Sequence, residues 1–168
     1  MNHPHHTFLL KAYELKSLPR AGWIRSGIEQ PESVAAHSWG LSLLISLLAP
    51  KHLDHMKMYH MAIAHDLPEV ITGDITPHDG ISKKEKKERE ARAAHSFLPP
   101  HILKAWQEYE DNETPEAKFV HMLDKLDMAL QAQVYEKRSD TKEFIDSAAP
   151  YIPQELQHLL RPTKAQNQ

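Results

Sequence analysis

Apolar residues recur at three- and four-residue spacing through most of the chain, and the strict alternation of a half-buried strand is nearly absent. The first such stretch, 7–17, predicts a helix stopped by Pro19. A loop marked by glycine and proline follows to Pro31, and Ser33 then stands as the N-cap of a second helix near 34–49, ended by Pro50. A third helix is expected over about 54–66, with Met58, Ala62 and His65 on one face and Pro68 opposing its continuation. Pro68, Gly73, Pro77 and Gly80 predict a loop over 68–81. Charged residues of high helix propensity fill 82–94, Pro99-Pro100 breaks that helix, and a short one follows around 101–110. Thr114-Pro115 opens the longest helix, a cap residue with proline at the first helical position. It runs to about Lys137, with Phe119, Leu123, Leu126 and Leu130 as its core stripe. A last amphipathic piece near 152–161 precedes a polar tail, 162–168, expected to fray. The pattern predicts an all-α bundle of about six to eight helices. With 168 residues, no internal repeat and no long linker, the chain reads as a single domain.

Hydropathy alone raises a membrane question at one place. Ser33 to Pro50 carries no Asp, Glu, Lys or Arg over 18 residues, about the shortest length that can span a bilayer. The segment is two-sided, however. Val34, His37, Leu41, Leu44 and Leu48 form one stripe, and Ser38, Ser42 and Ser46 form another, so a buried helix explains it better than a span. The apolar run at the N-terminus, Phe8–Leu10, is too short for a signal-peptide core. No membrane association and a cytoplasmic location are the expectations.

Composition narrows the chemistry. The chain has 13 His and no Cys, which excludes disulfides, thiolate zinc sites, iron–sulfur clusters and a cysteine nucleophile. Its five glycines, at 22, 27, 40, 73 and 80, match neither a dinucleotide fingerprint nor a Walker A loop. A net charge of −3 gives no field of one sign to attract nucleic acid or a membrane. Any bound metal must therefore use imidazole nitrogen and carboxylate oxygen.

Abundance of histidine is weak support for such a site, because this composition yields about 0.7 His-Asp dipeptides by chance. Two occur. His78-Asp79 sits between Pro77 and Gly80 and reads as a solvated turn. His65-Asp66 instead closes the apolar segment MYHMAIAHD, where a carboxylate is costly unless paired or bound to a cation. The bland alternative is a helix end open to water, but Asp is unfavourable at the negative end of the dipole. His37 is a second polar interruption of an apolar stripe, against the alternative of an ordinary core histidine. In KFVHMLDKLDMALQAQV, Asp124 and Asp127 both border the expected buried face, and spacing does not choose between them. Three helices thus each bring an inward-leaning His or Asp, a nitrogen and oxygen set suited to a divalent transition metal.

PESVAAHS, AHDLPEVITGD and KFVHMLDKLDMALQA resemble the His, His-Asp, Asp signature of the HD-domain phosphohydrolases, in particular their branch of small 5′-deoxynucleotidases. The resemblance covers roughly 7–137 and implies an HD domain of helices, with a C-terminal helix to about 161. It implies His37, His65, Asp66 and Asp124 as ligands of one divalent ion (Mn²⁺, Co²⁺, Fe²⁺, Ni²⁺ or Zn²⁺), and Glu69 and Asp74 as acidic groups assisting the reaction. LPRAGW is similar to the family's Arg–Trp stretch, which points to Arg20 for phosphate, with Arg25 as the fallback, and to Trp23 for pocket shape. Ala35-Ala36 departs from the family, which usually has Ser-Glu or Ser-Asp before the first ligand. A hydrogen bond behind the ligand is therefore expected to be missing. The activity implied is hydrolysis of (deoxy)nucleoside 5′-monophosphates to nucleoside and phosphate, by a homodimer. Hydrolysis of nucleoside triphosphates or pyrophosphates on the same scaffold is one alternative. A non-catalytic, metal-containing module that binds nucleotides or nucleic acid is another. For the latter, Lys83–Arg92 offers six basic residues, but three acidic ones among them mark a solvated helix face. His60, His95 and His121 lie in no matching motif, and His3, His5 and His6 belong to a tail that could take up metal adventitiously.

Overall fold

The computed structural model describes residues 5–160. Its helices are α1 (His6–Tyr13), α2 (Ala21–Arg25), α3 (Val34–Leu48), α4 (His55–Ala64), α5 (Glu69–Thr72), α6 (Lys83–Phe97), α7 (Pro100–Asp111), α8 (Pro115–Tyr135) and α9 (Lys142–Ala148). Short 3₁₀ turns occupy Glu14–Lys16, Ala149–Tyr151 and Gln154–Leu160. The only β feature among the described residues is an isolated antiparallel bridge between Pro19 and Ser33. The fold is all-α, as the periodicity predicts. Residues 161–168, including the tail expected to fray, and His3 of the N-terminal tail lie outside the described residues.

Local chemistry sets the ends of the three central helices. Ser33 accepts the Ala36 N–H at 3.1 Å to start α3, Asp54 accepts that of Lys57 at 3.1 Å to start α4, and Thr114 accepts that of Ala117 at 3.2 Å to start α8. These three helices enclose a core in which Leu41, Ile45, Met58, Met61, Leu123 and Leu126 are completely buried. A second cluster joins Leu15, Val34, Leu67 and Trp106, and a third joins Trp23 and Ile28 to Ala132 and Tyr135 of α8. None of the helices among the described residues is long and apolar enough to cross a membrane.

Three departures from the sequence pattern matter for the site. First, the loops expected before Pro31 and over 68–81 each contain a short helix, α2 and α5, of five and four residues. Neither is long enough to show a period. Second, α9 fills a stretch for which no element is expected, while the piece near 152–161 winds as 3₁₀ turns. Third, the buried face of α8 is rotated from the expected stripe. Val120 and Asp127 are buried, whereas Phe119 and Leu130 are only partly so. Asp127 therefore points into the bundle, where a carboxylate needs a partner.

The core is expected to be sensitive at its centre. Leu123→Ala, at a position with no solvent exposure, should cost roughly 2–5 kcal/mol in a urea unfolding titration, the range for deleting a buried leucine side chain.

Candidate metal centre

His37 stands one turn into α3, and its side chain is completely buried. His65 ends α4 as its C-cap, with Asp66 beside it, and both Asp124 and Asp127 project from α8. The capping and packing just described bring these groups together. Nε2 of His37 lies 3.3 Å from Nε2 of His65, 3.1 Å from Oδ1 of Asp124 and 3.8 Å from Oδ2 of Asp66. Nε2 of His65 is 3.1 Å from that same Asp66 oxygen. Nδ1 of His65 donates to the Ala62 carbonyl at 3.0 Å, which turns Nε2 toward the second imidazole. Two such nitrogens at this separation repel unless a proton or a cation lies between them.

The spacing fits a cation. Two ligands each about 2.1 Å from one ion sit about 3.0 Å apart at right angles and about 3.4 Å apart at the tetrahedral angle. The separations of 3.3, 3.1 and 3.1 Å among His37, His65, Asp66 and Asp124 all fall in that window. His37, His65 and Asp124 also form a compact group of ligand atoms within 4.8 Å of one another, and Glu32, His37 and Asp127 form another. An all-nitrogen-and-oxygen donor set of this kind suits a first-row divalent ion.

Charge is concentrated around the same point. Asp66, Glu69, Asp74 and Asp124 surround Arg20, and although burial opposes its charge, these carboxylates hold its guanidinium firmly protonated. Its Nη1 lies 3.3 Å from Asp66 Oδ2. Burial would raise the Asp66 carboxyl, but His65, His37 and Arg20 outweigh it and hold the group well below the ordinary carboxylate range. Asp124 is likewise held low against its burial by His37 and Lys125. Glu69 behaves in the opposite way. Burial, reinforced by Asp66 and Asp74, pushes its carboxyl well above the usual value, and its Oε2 is the buried side-chain polar atom without a hydrogen-bond partner among the described residues. Burial and Arg20 both oppose protonation of His37, yet hydrogen bonds to Asp124 and Asp127 raise it to about 9.

His65 and most of the charged groups around it line a cavity of about 670 Å³, within the range of small-molecule sites, with His37 buried behind them. Arg20, Trp23, Asp66, Glu69, Asp74 and Asp124 all contribute to its wall. Arg20 is placed by the bridge at Pro19, where its N–H reaches the Glu32 carbonyl at 3.0 Å. Gly73, at φ 75°, turns the chain after α5 so that Asp74 accepts the Ala21 N–H at 2.7 Å. Trp23 is buried against Phe144 and Tyr135 and donates its indole N–H to Glu32 at 2.9 Å. Arg25 is at the rim, paired with Glu143 at 2.6 Å and away from the acidic cluster around Arg20. His78-Asp79 forms the turn expected of it, with Asp79 accepting from the backbone and hydroxyl of Thr76.

Some cavity groups leave no mark in the sequence. Tyr109 donates its hydroxyl to Asp124 at 3.3 Å and stacks on His121 at 3.8 Å, so His121, which lies in no motif, also reaches the wall. Lys86 and Glu90 line it too, although their helix has the composition of a solvated face. Ion pairs one turn apart, Lys84–Glu88, Lys86–Glu90 and Glu85–Arg89, neutralise much of that helix.

A family model described as HD domain matches residues 12–158. The chain is 37% identical over 153 residues to the 5′-deoxynucleotidase HDDC2 of Homo sapiens, covering 84% of this chain and 75% of that one. It is 41% identical over 140 residues to the protein of the same name from Dictyostelium discoideum, covering 74% of each. Among solved structures it is similar to a Pyrococcus horikoshii protein, with TM-score 0.80 and 32% identity over 94% of this chain and 99% of that one. It is also similar to a Magnetospirillum magnetotacticum protein described as a predicted metal-dependent phosphohydrolase, with TM-score 0.66 and 28% identity over 87% and 80%.

The proton on His37 makes a measurable prediction. Its folded pKa of about 9 lies above the ordinary 6.5, so the stability it confers is complete below the ordinary value and is lost as pH rises through about 9. Chelator-treated protein should therefore lose up to a few kcal/mol of unfolding free energy between about pH 6.5 and 9. Added Co²⁺, taking the place of the proton, should flatten that decline in urea titrations.

Proposed function

The chain belongs to the HD domain family, and from that premise we propose that it hydrolyses nucleoside and deoxynucleoside 5′-monophosphates to nucleoside and phosphate with the help of one divalent transition metal ion. The observation that carries this reading is the pair of facing imidazole nitrogens, flanked by Asp66 and Asp124, beside a cavity lined by His65, those two aspartates and Arg20. A phosphate dianion is repelled by the ionised carboxylates of Asp66 and Asp124, and Arg20 alone does not offset them. The names of the curated relatives supply the substrate class.

His37, His65, Asp66 and Asp124 would hold the ion, drawn from Mn²⁺, Co²⁺, Fe²⁺, Ni²⁺ and Zn²⁺. Such an ion supplies charge neutralisation at the phosphoryl oxygens and an acidified water molecule. Arg20, kept charged by its carboxylate neighbours, grips the phosphate through the forked guanidinium donors. Glu69 takes a proton from the attacking water. Its Oε2 has no protein partner, and burial beside Asp66 and Asp74 raises its affinity for a proton. As the new P–O bond forms and the bond to the 5′-oxygen breaks, the proton taken from the water passes to the departing oxygen through the acidic pair Glu69 and Asp74, whose two roles are interchangeable. Trp23, fixed by Glu32, Phe144 and Tyr135, forms a rigid wall that shapes the pocket.

A homodimer belongs to the same reading. Trp39, Leu43 and Leu47 lie one turn apart on α3 and are all exposed, giving an apolar stripe for a second copy to cover.

Two measurements test this account. In a phosphate-release assay with purified protein and Co²⁺ or Mn²⁺, nucleoside monophosphates should turn over and chelator should stop the reaction. Glu69→Gln should lower kcat by roughly 10²–10⁴ with metal content unchanged, whereas Asp66→Ala should lose both. Turnover by metal-free Asp66→Ala, or pyrophosphate release from triphosphates with no action on monophosphates, would contradict the reading. For the dimer, light scattering should show the wild type at twice the chain mass of 19.3 kDa and Trp39→Glu/Leu47→Glu at one.

A further inference from the structure

The sequence lacks the polar pair usually found before the first ligand, yet His37 is not left unsupported. Its Nδ1 lies 2.7 Å from Oδ2 of Asp127, a buried carboxylate of α8 one turn beyond Asp124. The two aspartates thus hold opposite nitrogens of one imidazole. An imidazole offers its Nε2 lone pair only when Nδ1 carries the hydrogen, and a buried N–H needs an acceptor. For His65 that acceptor is the Ala62 carbonyl. For His37 it is Asp127.

Gly40 is the second observation. It lies in mid-helix, where glycine costs about 1 kcal/mol relative to alanine, and it has no left-handed φ to account for it. A Cβ built there would sit 2.1 Å from Asp127 Oδ1 and 3.0 Å from its Cγ. The absent side chain is the space that the carboxylate occupies. The third group nearby, Glu32, is already engaged by the Trp23 indole N–H. A separation of 2.7 Å between Nδ1 and Oδ2 suits a hydrogen bond and is too short for two ligands of a shared ion.

We propose that Asp127, seated in the gap left by Gly40, is a positioning residue that accepts the His37 Nδ1–H and thereby turns Nε2 toward the metal. The inference rests on the metal-dependent reading above. It also gives Gly40 a function, since any side chain there displaces the carboxylate.

The test is calorimetric titration of Co²⁺ into chelator-stripped, full-length protein, for the wild type, Asp127→Ala, Asp127→Asn, Gly40→Ala and the Gly40→Ala/Asp127→Ala double variant. Asp127→Ala and Gly40→Ala should each weaken Co²⁺ binding by roughly 10–100-fold, the usual effect of losing a ligand's outer partner. Asp127→Asn, which retains a neutral acceptor, should weaken it less. The double variant should bind no more weakly than Asp127→Ala, because the clash disappears with the carboxylate. Phosphate release should fall more at limiting than at saturating Co²⁺. Should Asp127→Ala fail to fold, Gly40→Ala and Asp127→Asn carry the test. Unchanged Co²⁺ affinity in the folded variants would overturn the proposal. So would two ions per wild-type chain falling to one in Asp127→Ala or Asp127→Asn, since Asp127 would then be a ligand itself. A wild type that binds no Co²⁺ ends the metal reading and this inference together. Co²⁺ binding without nucleotide hydrolysis overturns the nucleotidase reading alone.

Discussion

Two imidazole nitrogens face each other at 3.3 Å inside a helical bundle, and that contact constrains everything around it. Neither histidine can turn away, because the far nitrogen of each is committed to an oxygen, the Ala62 carbonyl for His65 and the Asp127 carboxylate for His37. Positive charge is required between them. Without metal a proton supplies it, which is why hydrogen bonds to Asp124 and Asp127 lift His37 to about 9 against its burial. Removing any one partner would leave the others buried and uncompensated, the costly case for internal charge.

The rest of the fold holds that cluster in place. Helices α3, α4 and α8 are fixed by a completely buried apolar core and by a Ser, an Asp and a Thr cap. Shorter elements deliver the groups that would act on substrate. The α5 turn brings Glu69 inward, Gly73 redirects the chain so that Asp74 meets the start of α2, and the Pro19–Ser33 bridge places Arg20 over Asp66. The central helices and the turn that ends α4 thus carry the candidate ligands, and other short segments carry the proton-handling and phosphate-binding candidates. This division matches the need for a precise metal geometry beside a wall shaped to a particular substrate.

Much of this arrangement is legible in the order of residues along the chain. Helical periodicity indicates the class, and His37 and His65 stand out because they interrupt apolar stripes. The resemblance to the HD-domain phosphohydrolases then separates Asp124 from Asp127, which spacing alone does not. The features that leave no trace there have physical causes. Helices α2 and α5 are shorter than two turns and show no period. Tyr109 and Lys86 join the cavity only through the way α6 and α7 pack, and their local sequence has no unusual feature. The inward turn of Asp127 depends on a rotation of α8 and on the missing side chain at Gly40, two features on different helices that no single motif contains. The expected loss of support behind His37, read from Ala35-Ala36, is offset from α8, a part of the chain 90 residues away.

The central claim is that the facing nitrogens are a cation site, and anomalous diffraction from crystals grown with Co²⁺ tests it most directly. One peak is predicted, bounded by Nε2 of His37, Nε2 of His65 and the carboxylates of Asp66 and Asp124. No peak there, or a peak on the opposite side of His37 between Glu32 and Asp127, would contradict the account.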